Sequence, residues 1–315
     1  MKILTVNRFL NIVSSALKFQ LYHLKHMYTV LNFYHFISFK DIAKVRYNLL
    51  EKLIQLNLKG TILLSQEGIN GGIAGNQKEI VKFKEFLQNI VKKDFIYFIS
   101  SSYTAPFTKQ RVKLKPEIIK MNRCCTPASK FGKYLSPKEW HQFIKRSDTI
   151  IFDTRNADET RMGIFKGSVV SDIKSFSEFP RYFASLNIDK DAFIGMYCTG
   201  GVRCEKTTSL IVEEMGFKNV FHLRGGILAY LKEIPAYDSL WTGECYVFDR
   251  RISIRSDLTQ GTYVQCFACR RRLSLKEQDH SDYKLGISCQ HCLHDNAVNT
   301  AKFSFREWQK KNDRA

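Results

Sequence analysis

In the stretch MYCTGGVRCEK, Met196 to Lys206, a cysteine stands between an apolar run and two glycines, with an arginine placed Cys-x4-Arg after it. The run AFIGMY reads as a buried parallel strand, so Cys198 falls at its carboxyl end, where open α/β sheets bind their ligands. Gly200 and Gly201 admit backbone conformations that a side chain resists. Arg203 leads into a helix whose first N–H groups lack intrahelical partners. Thr199, Gly200, Gly201 and Val202 then supply the backbone of a loop folded around the sulfur. A ring of donors with the fixed charge of Arg203 favours thiolate over thiol. The expected chemistry is that of a nucleophile or a persulfide carrier, with Arg203 as a binding face for an anionic donor. The plainer reading is a buried strand cysteine before an ordinary turn; the glycines and the arginine weigh against it. Cys204 reads either as a partner of Cys198 on oxidation or as a structural cysteine on the helix.

Two further patterns carry chemistry. CFAC and SCQHC place Cys266, Cys269, Cys289 and Cys292 in a C-x2-C, x19, C-x2-C arrangement. Four thiolates at that spacing complete a tetrahedral zinc shell and supply folding free energy that a small segment lacks. The alternative is a redox pair or metal-free packing. Arg270, Arg271, Arg272 and His291 lie beside these pairs and suit nucleic-acid contact; His291 and His294 are alternate ligands or simply exposed. In FTKQRVKLK, the residues Lys109, Arg111, Lys113 and Lys115 recur at period two, on one face of a strand, with Val112 and Leu114 on the other. That face is either a ladder for a phosphate backbone or the lysine guard of an edge strand. The glycine-dense EGINGGIAG, Glu67 to Gly75, reads as a hairpin turn.

The elements that position these residues fall into three units. From 28 to 121 strands and helices alternate: VLNFYHF, a helix with Ile42, Val45, Leu49, Leu50, Leu53 and Ile54 on one side, GTILLS, a helix around Ile80 to Ile90, FIYFISS and RVKLKPEII. A ferredoxin-like α+β sandwich is the expected packing. A connector, Asn122 to Lys133, leads to a second unit, 134–237, in which Ser136 caps a helix with Pro137 at its first position. The strands TIIFD, AFIGMYC and VFHL, separated by helices, imply an α/β domain with a parallel sheet covered on both faces. The third unit, 238–315, is basic, cysteine-rich and too small to fold well unaided. Residues 1–27 carry Lys2, Arg8, Lys18 and Lys25 with no acid, and apolar residues at helical spacing. They read as a basic amphipathic helix suited to targeting or a membrane surface, or as a dispensable extension before an alternative start at Met27.

Across 315 residues, 49 Lys plus Arg against 30 Asp plus Glu give a net charge of +19. A polyanionic partner or an anionic membrane surface fits that excess, as does a merely lysine-rich composition. Nine cysteines, four of them in C-x-x-C pairs, suit metal and thiol chemistry in a reducing cytoplasm rather than a disulfide framework. No uninterrupted apolar run of about 18 residues occurs, so no stable membrane association is expected.

With FDTRN before it and FHLRGGILAYL after it, the loop MYCTGGVRC resembles that of rhodanese domains, a likeness spanning Ser136 to Tyr237. In that family a Cys-x4-Arg loop cradles a persulfide, whereas the related phosphatase loop is one residue longer. With GTILLSQEGINGGIAG, APFTKQRVKLKPEII and the GECYVFDRR…CFAC…SCQHC tail, the chain from Tyr28 to Asn296 resembles the rhodanese-domain tRNA uridine hydroxylases, which make 5-hydroxyuridine at the wobble position in an oxygen-dependent reaction. The resemblance implies a cytoplasmic tRNA-modifying enzyme that uses molecular oxygen as co-substrate and Cys198 as the essential thiol, held as a persulfide. The basic strand would then hold the anticodon arm. No flavin or nicotinamide motif is visible. Two other readings stay open: a sulfurtransferase acting on a small acceptor or tRNA, and a non-enzymatic RNA-binding module on a rhodanese scaffold. The sequence assigns no oligomeric state.

Overall fold

The structure, a computed structural model, describes residues 27–92, 94–123 and 132–293. The basic helical pattern of residues 1–26, most of the connector and His294 lie outside them. The first unit is a five-stranded sheet: β1 (Tyr28–Phe36), β2 (Lys59–Ser65), β3 (Gly68–Gly75), β4 (Ile96–Ser102) and β5 (Gln110–Leu114), in the order β4-β1-β3-β2-β5. Helices α1 (Ile42–Gln55) and α2 (Gln77–Val91) cross between strands. The first four strands and two helices make the expected ferredoxin-like arrangement, and β5 extends the sheet in parallel to β2. Asp41 and Asn76 cap the two helices, accepting from the backbone N–H of Lys44 and Lys78. In α2, Ile80, Phe83, Leu87 and Val91 recur at three to four residues and are buried. They pack with Leu31, Phe33, Ile62, Leu64, Ile69, Ile73 and Val112 from one face of the sheet. Because side chains alternate along a strand, Asn32, Tyr34, Thr61, Leu63 and Asn70 belong to the other face, turned away from the helices.

The second unit holds β6 (Lys133–Leu135), α3 (Pro137–Phe143), β7 (Thr149–Asp153), α4 (Ala157–Thr160), β8 (Gly163–Phe165), α5 (Phe179–Ala184), β9 (Phe193–Tyr197), α6 (Val202–Glu213), β10 (Asn219–Leu223) and α7 (Gly226–Glu233). Strands β6, β10, β9 and β7 form a wholly parallel sheet in that order. Ser136 and Glu139 complete a capping box at the start of α3. Strand β6 was not expected: KYL is too short to show a period, and pairing with β10 makes it a strand.

After α7 the chain first returns to the second unit, where β11 (Trp241–Gly243) pairs antiparallel with β8. Short pairs follow, β12 (Cys245–Tyr246) with β13 (Ser253–Ile254) and β14 (Val264–Gln265) with β15 (Arg272–Leu273), then α8 (Leu275–Gln278). The buried Arg251 guanidinium binds Asp249 and donates to Ser100 Oγ at 2.8 Å and the Ser101 carbonyl at 3.1 Å, fastening this segment to β4. Among the described residues no helix is long and apolar enough to cross a membrane.

Candidate active site

Strand β9 ends at Tyr197, and Cys198 stands at its carboxyl end between the flanking strands β7 and β10, as its sequence position predicts. The loop is fixed from the side by α7. The carbonyls of Cys198 and Thr199 accept from the backbone N–H of Ile227 and Leu228 at 3.0 and 3.1 Å. Gly226 makes that approach possible, since a Cβ there would lie 2.4 Å from the Cys198 carbonyl oxygen. With the carbonyls drawn outward, the N–H groups turn in: the backbone N–H of Gly201 donates to Cys198 Sγ at 3.1 Å. Gly201 has φ 104, a left-handed conformation that favours glycine. Burial alone would raise the Cys198 thiol. Its hydrogen bond with Cys204, the charge of Arg203 and the backbone N–H groups of Arg203 and Gly201 outweigh that and bring it down to about 6. Cys204 is pushed the opposite way, by burial and by its bond to Cys198. Cys204 is fully buried in the same core as Cys198, with Thr154 Oγ1 3.7 Å from its sulfur, and both are free thiols.

Arg203 departs from the expected role. The residue is only 4% exposed, and its guanidinium makes a two-point ion pair with Glu159 of α4, at 2.8 and 3.0 Å. It is therefore a held charge behind the sulfur, and its anion-binding fork is already occupied. Beside it Arg155 binds Asp153 and donates to the Glu159 and Gly163 carbonyls, with no exposed surface. The next buried acid, Glu205, accepts from Tyr34 Oη of β1 and Tyr134 Oη of β6, each at 2.7 Å. Burial raises its carboxyl above the usual range. The next residue, Lys206, is fully buried and pairs with Glu67 and Glu117 of the first unit. Sequence reasoning missed Glu159, Tyr34, Glu205 and the Lys206 pairs, because each joins residues far apart in the chain.

These contacts press the cysteine loop against the helix-free face of the first sheet and enclose a cavity of about 450 Å³. The loop (Cys198, Thr199, Gly200, Val202, Arg203) forms one part of its wall, strands β1 to β4 another, Gly225 and Leu228 at the start of α7 a third, and Phe107, Ile119 and, from the third unit, Val247 and Phe248 complete it. The basic strand lies on the same sheet. Arg111 is paired with Thr61 and Lys113 with Leu63, and aligned residues of neighbouring strands share a face. Since Thr61 and Leu63 line the cavity, the exposed Lys109, Arg111, Lys113 and Lys115 continue its wall outward along the sheet edge.

The four tail cysteines also come together. Their Sγ atoms all lie within 4.8 Å of one another, with Cys266 to Cys292 at 3.9 Å and both Cys269 and Cys292 at 3.7 Å from Cys289. Zinc–sulfur bonds of about 2.3 Å in a tetrahedron require sulfur–sulfur distances of about 3.8 Å, so the set fits that ion. His291 instead pairs with Glu277 at 2.7 Å. Arg272 ties the cluster to the second unit, donating to Tyr246 Oη at 2.8 Å and pairing with Asp158 at 3.4 Å.

Residues 28–118 match the model of the UPF0176 acylphosphatase like domain, and residues 136–233 that of the rhodanese-like domain. The chain is 41% identical over 289 residues to the tRNA uridine(34) hydroxylase of Pelagibacter ubique, covering 90% of this chain and 94% of that one. The chain belongs to the tRNA uridine(34) hydroxylase family. The relative from Acinetobacter baumannii strain AYE, which carries the same name, is also 41% identical, over 89% of this chain and 88% of its own. Membership in this hydroxylase family covers all three units, and the cavity lies where they meet.

Proposed function

We propose that this protein hydroxylates C5 of the wobble uridine, position 34 of tRNA, in the cytoplasm, with molecular oxygen as co-substrate. The observation that carries the reading is the position of Cys198: an activated sulfur in a cavity walled by all three units and continued by a cationic strand. Conversion of C5–H to C5–OH takes one atom of dioxygen into the base and releases the other as water, with two electrons and two protons supplied by an external thiol reductant that is oxidised to its disulfide. Cys198, as thiolate or persulfide, is the electron-rich group that meets the base; Arg203, held by Glu159, maintains the positive field behind it. A sulfurtransferase acting on a small acceptor would use the same loop but leave the cationic strand without a role. The test is mass spectrometry of tRNA nucleosides from an aerobically grown strain lacking its own wobble-uridine hydroxylases. Restoration with this chain returns 5-hydroxyuridine; its continued absence would overturn the assignment.

The strand Lys109 to Lys115 holds the phosphate backbone of the anticodon arm in this reading. Reversing Lys109, Arg111 and Lys113 to glutamate is expected to weaken tRNA binding and to flatten the plot of log affinity against log salt by about 2 to 3. Unchanged affinity and slope would make the strand an edge guard only. The four cysteines hold a structural zinc that folds the tail. Metal analysis is expected to find one zinc per chain, and chelation to unfold the tail while the two larger units stay folded. A metal-free chain with an ordered tail would rule this out.

A further inference from the structure

Resting on the hydroxylase reading, we infer that Asn32 reads the O2 and N3–H edge of the target uracil, with Phe248 stacking on its face, so that the base enters the cavity unstacked. Cys198 is only 2% exposed and lines the cavity, so a base stacked in an RNA strand cannot bring C5 to it. Enzymes that act on a base atom solve this by extruding the nucleotide into a fitted pocket. The cavity, about 450 Å³, lies within the range of small-molecule sites.

The walls determine what can be recognised. Most of the lining is apolar or glycine, and two of its larger polar groups are committed: Asn70 Nδ2 donates to the Ile118 carbonyl at 3.0 Å, and Tyr34 Oη to Glu205. Asn32 differs. It sits within β1, flanked by Gly72 of β3 and Phe98 of β4, and among the described residues its amide makes no side-chain hydrogen bond. Asparagine is disfavoured in a strand. Here its place is kept clear by Gly72, since a Cβ at that position would stand 2.7 Å from Asn32 Oδ1. An unpaired amide held open in a largely apolar cavity is a recognition group awaiting its partner.

An amide offers one donor and one acceptor side by side. The O2 and N3–H edge of uracil offers the complementary pair, whereas cytosine presents two acceptors at the same positions and meets a repulsive contact with the amide in either orientation. Engaging that edge leaves the C5 side of the ring free for the sulfur. The stacking surface comes from the third unit: Phe248 lines the cavity, is 63% exposed and has the Arg203 guanidinium 5.5 Å from its ring centroid. An exposed phenyl at the mouth of such a site is a platform for a base.

The experiment measures binding of anticodon stem-loop RNAs carrying uridine, 3-methyluridine, cytidine or an abasic residue at position 34, to the full chain and to Asn32→Ala and Asn32→Asp, alongside hydroxylation of the uridine RNA. The wild-type chain is expected to bind the uridine RNA at least tenfold more tightly than the other three. Both variants should lose that preference while retaining the abasic affinity, and their kcat/KM on uridine should fall at least tenfold. Retained abasic affinity shows that a variant is folded, and a purely structural role would not remove the dependence on the base. If Asn32→Ala keeps the wild-type ratio between uridine and 3-methyluridine, the inference is overturned. If the ratio depends on Asn32 but no variant or wild type hydroxylates, the base pocket stands and the hydroxylase reading falls.

Discussion

Replacing Cys198 by serine is expected to lower hydroxylation by more than about 10³-fold, the scale on which loss of an activated nucleophile acts, and to leave no detectable 5-hydroxyuridine in the restored strain. Serine fits the loop: the carbonyl contacts to Ile227 and Leu228 are made by backbone atoms, and the Gly201 N–H finds an oxygen where it had a sulfur. What serine cannot do is ionise, because the donors that bring a thiol down to about 6 start from a hydroxyl far above any physiological pH. The sign gives a second readout. Thiolate is the reactive form, so alkylation of Cys198 by iodoacetamide should be fast at neutral pH and fall as pH drops through about 6. An ordinary cysteine would lose its reactivity near 8.5. An ordinary midpoint, or a serine variant with normal 5-hydroxyuridine and no redundant enzyme, would remove Cys198 from the chemistry.

The sulfur was legible in the sequence because its determinants are consecutive: strand, cysteine, glycines, arginine and helix form one unbroken run, and local geometry alone turns the N–H groups inward. The four tail cysteines were legible for a related reason, since two C-x-x-C pairs need only one closure to form a shell. The ferredoxin-like sheet followed from alternating strand and helix periods. Its fifth strand, β5, showed the two-residue period that sets Lys109, Arg111, Lys113 and Lys115 apart from Val112.

What stayed hidden depends on how the units pack. Arg203 read as a free anion-binding fork because nothing near it in the chain announces Glu159, which reaches it only after β7 and α4 have been placed beside β9. Asp158 pairs with Arg161 and, far along the chain, with Arg272 beside the cysteine cluster. Glu67 to Gly75 read as a hairpin turn; only Gln66 and Glu67 form the turn, while Gly68–Gly75 is strand β3, paired on both sides with β1 and β2, and the fold uses the Glu67 carboxylate to receive Lys206. Asn32 carried no signal, because an asparagine within a strand is noticed only when the cavity in front of it is seen.

Lys206→Met should lower the unfolding free energy of the transition that includes the first sheet by about 3 to 5 kcal/mol, the cost of breaking a buried ion pair from one side. Methionine nearly fills the same volume, so little of the loss is packing. The loss is electrostatic: Lys206 Nζ has no exposed surface, lies 2.9 Å from Glu67 Oε2, also binds Glu117, and reaches the Ile119 carbonyl at 3.3 Å. Without it two largely buried carboxylates face one another. Burial pushes the Glu117 carboxyl upward, but its hydrogen bonds with Lys206 and with the backbone N–H of Met121 outweigh that and hold it below the usual range. A carboxyl lowered in the folded state contributes stability at neutral pH that is lost as pH falls through its folded value. Removing Lys206 removes that contribution, so the deficit should be largest near pH 7 and shrink as the carboxylates protonate. Adding Glu67→Gln and Glu117→Gln to Lys206→Met should recover much of the loss at pH 7, because neutral amides remove the repulsion and each keeps one acceptor oxygen, for the backbone N–H of Ile118 and for that of either Met121 or Asn122. Denaturant titrations at pH 7 and pH 4 measure both effects. A deficit below about 1 kcal/mol, the range of exposed pairs, or one independent of pH would mean that Lys206 does not bind the rhodanese helix to the first sheet through its charge.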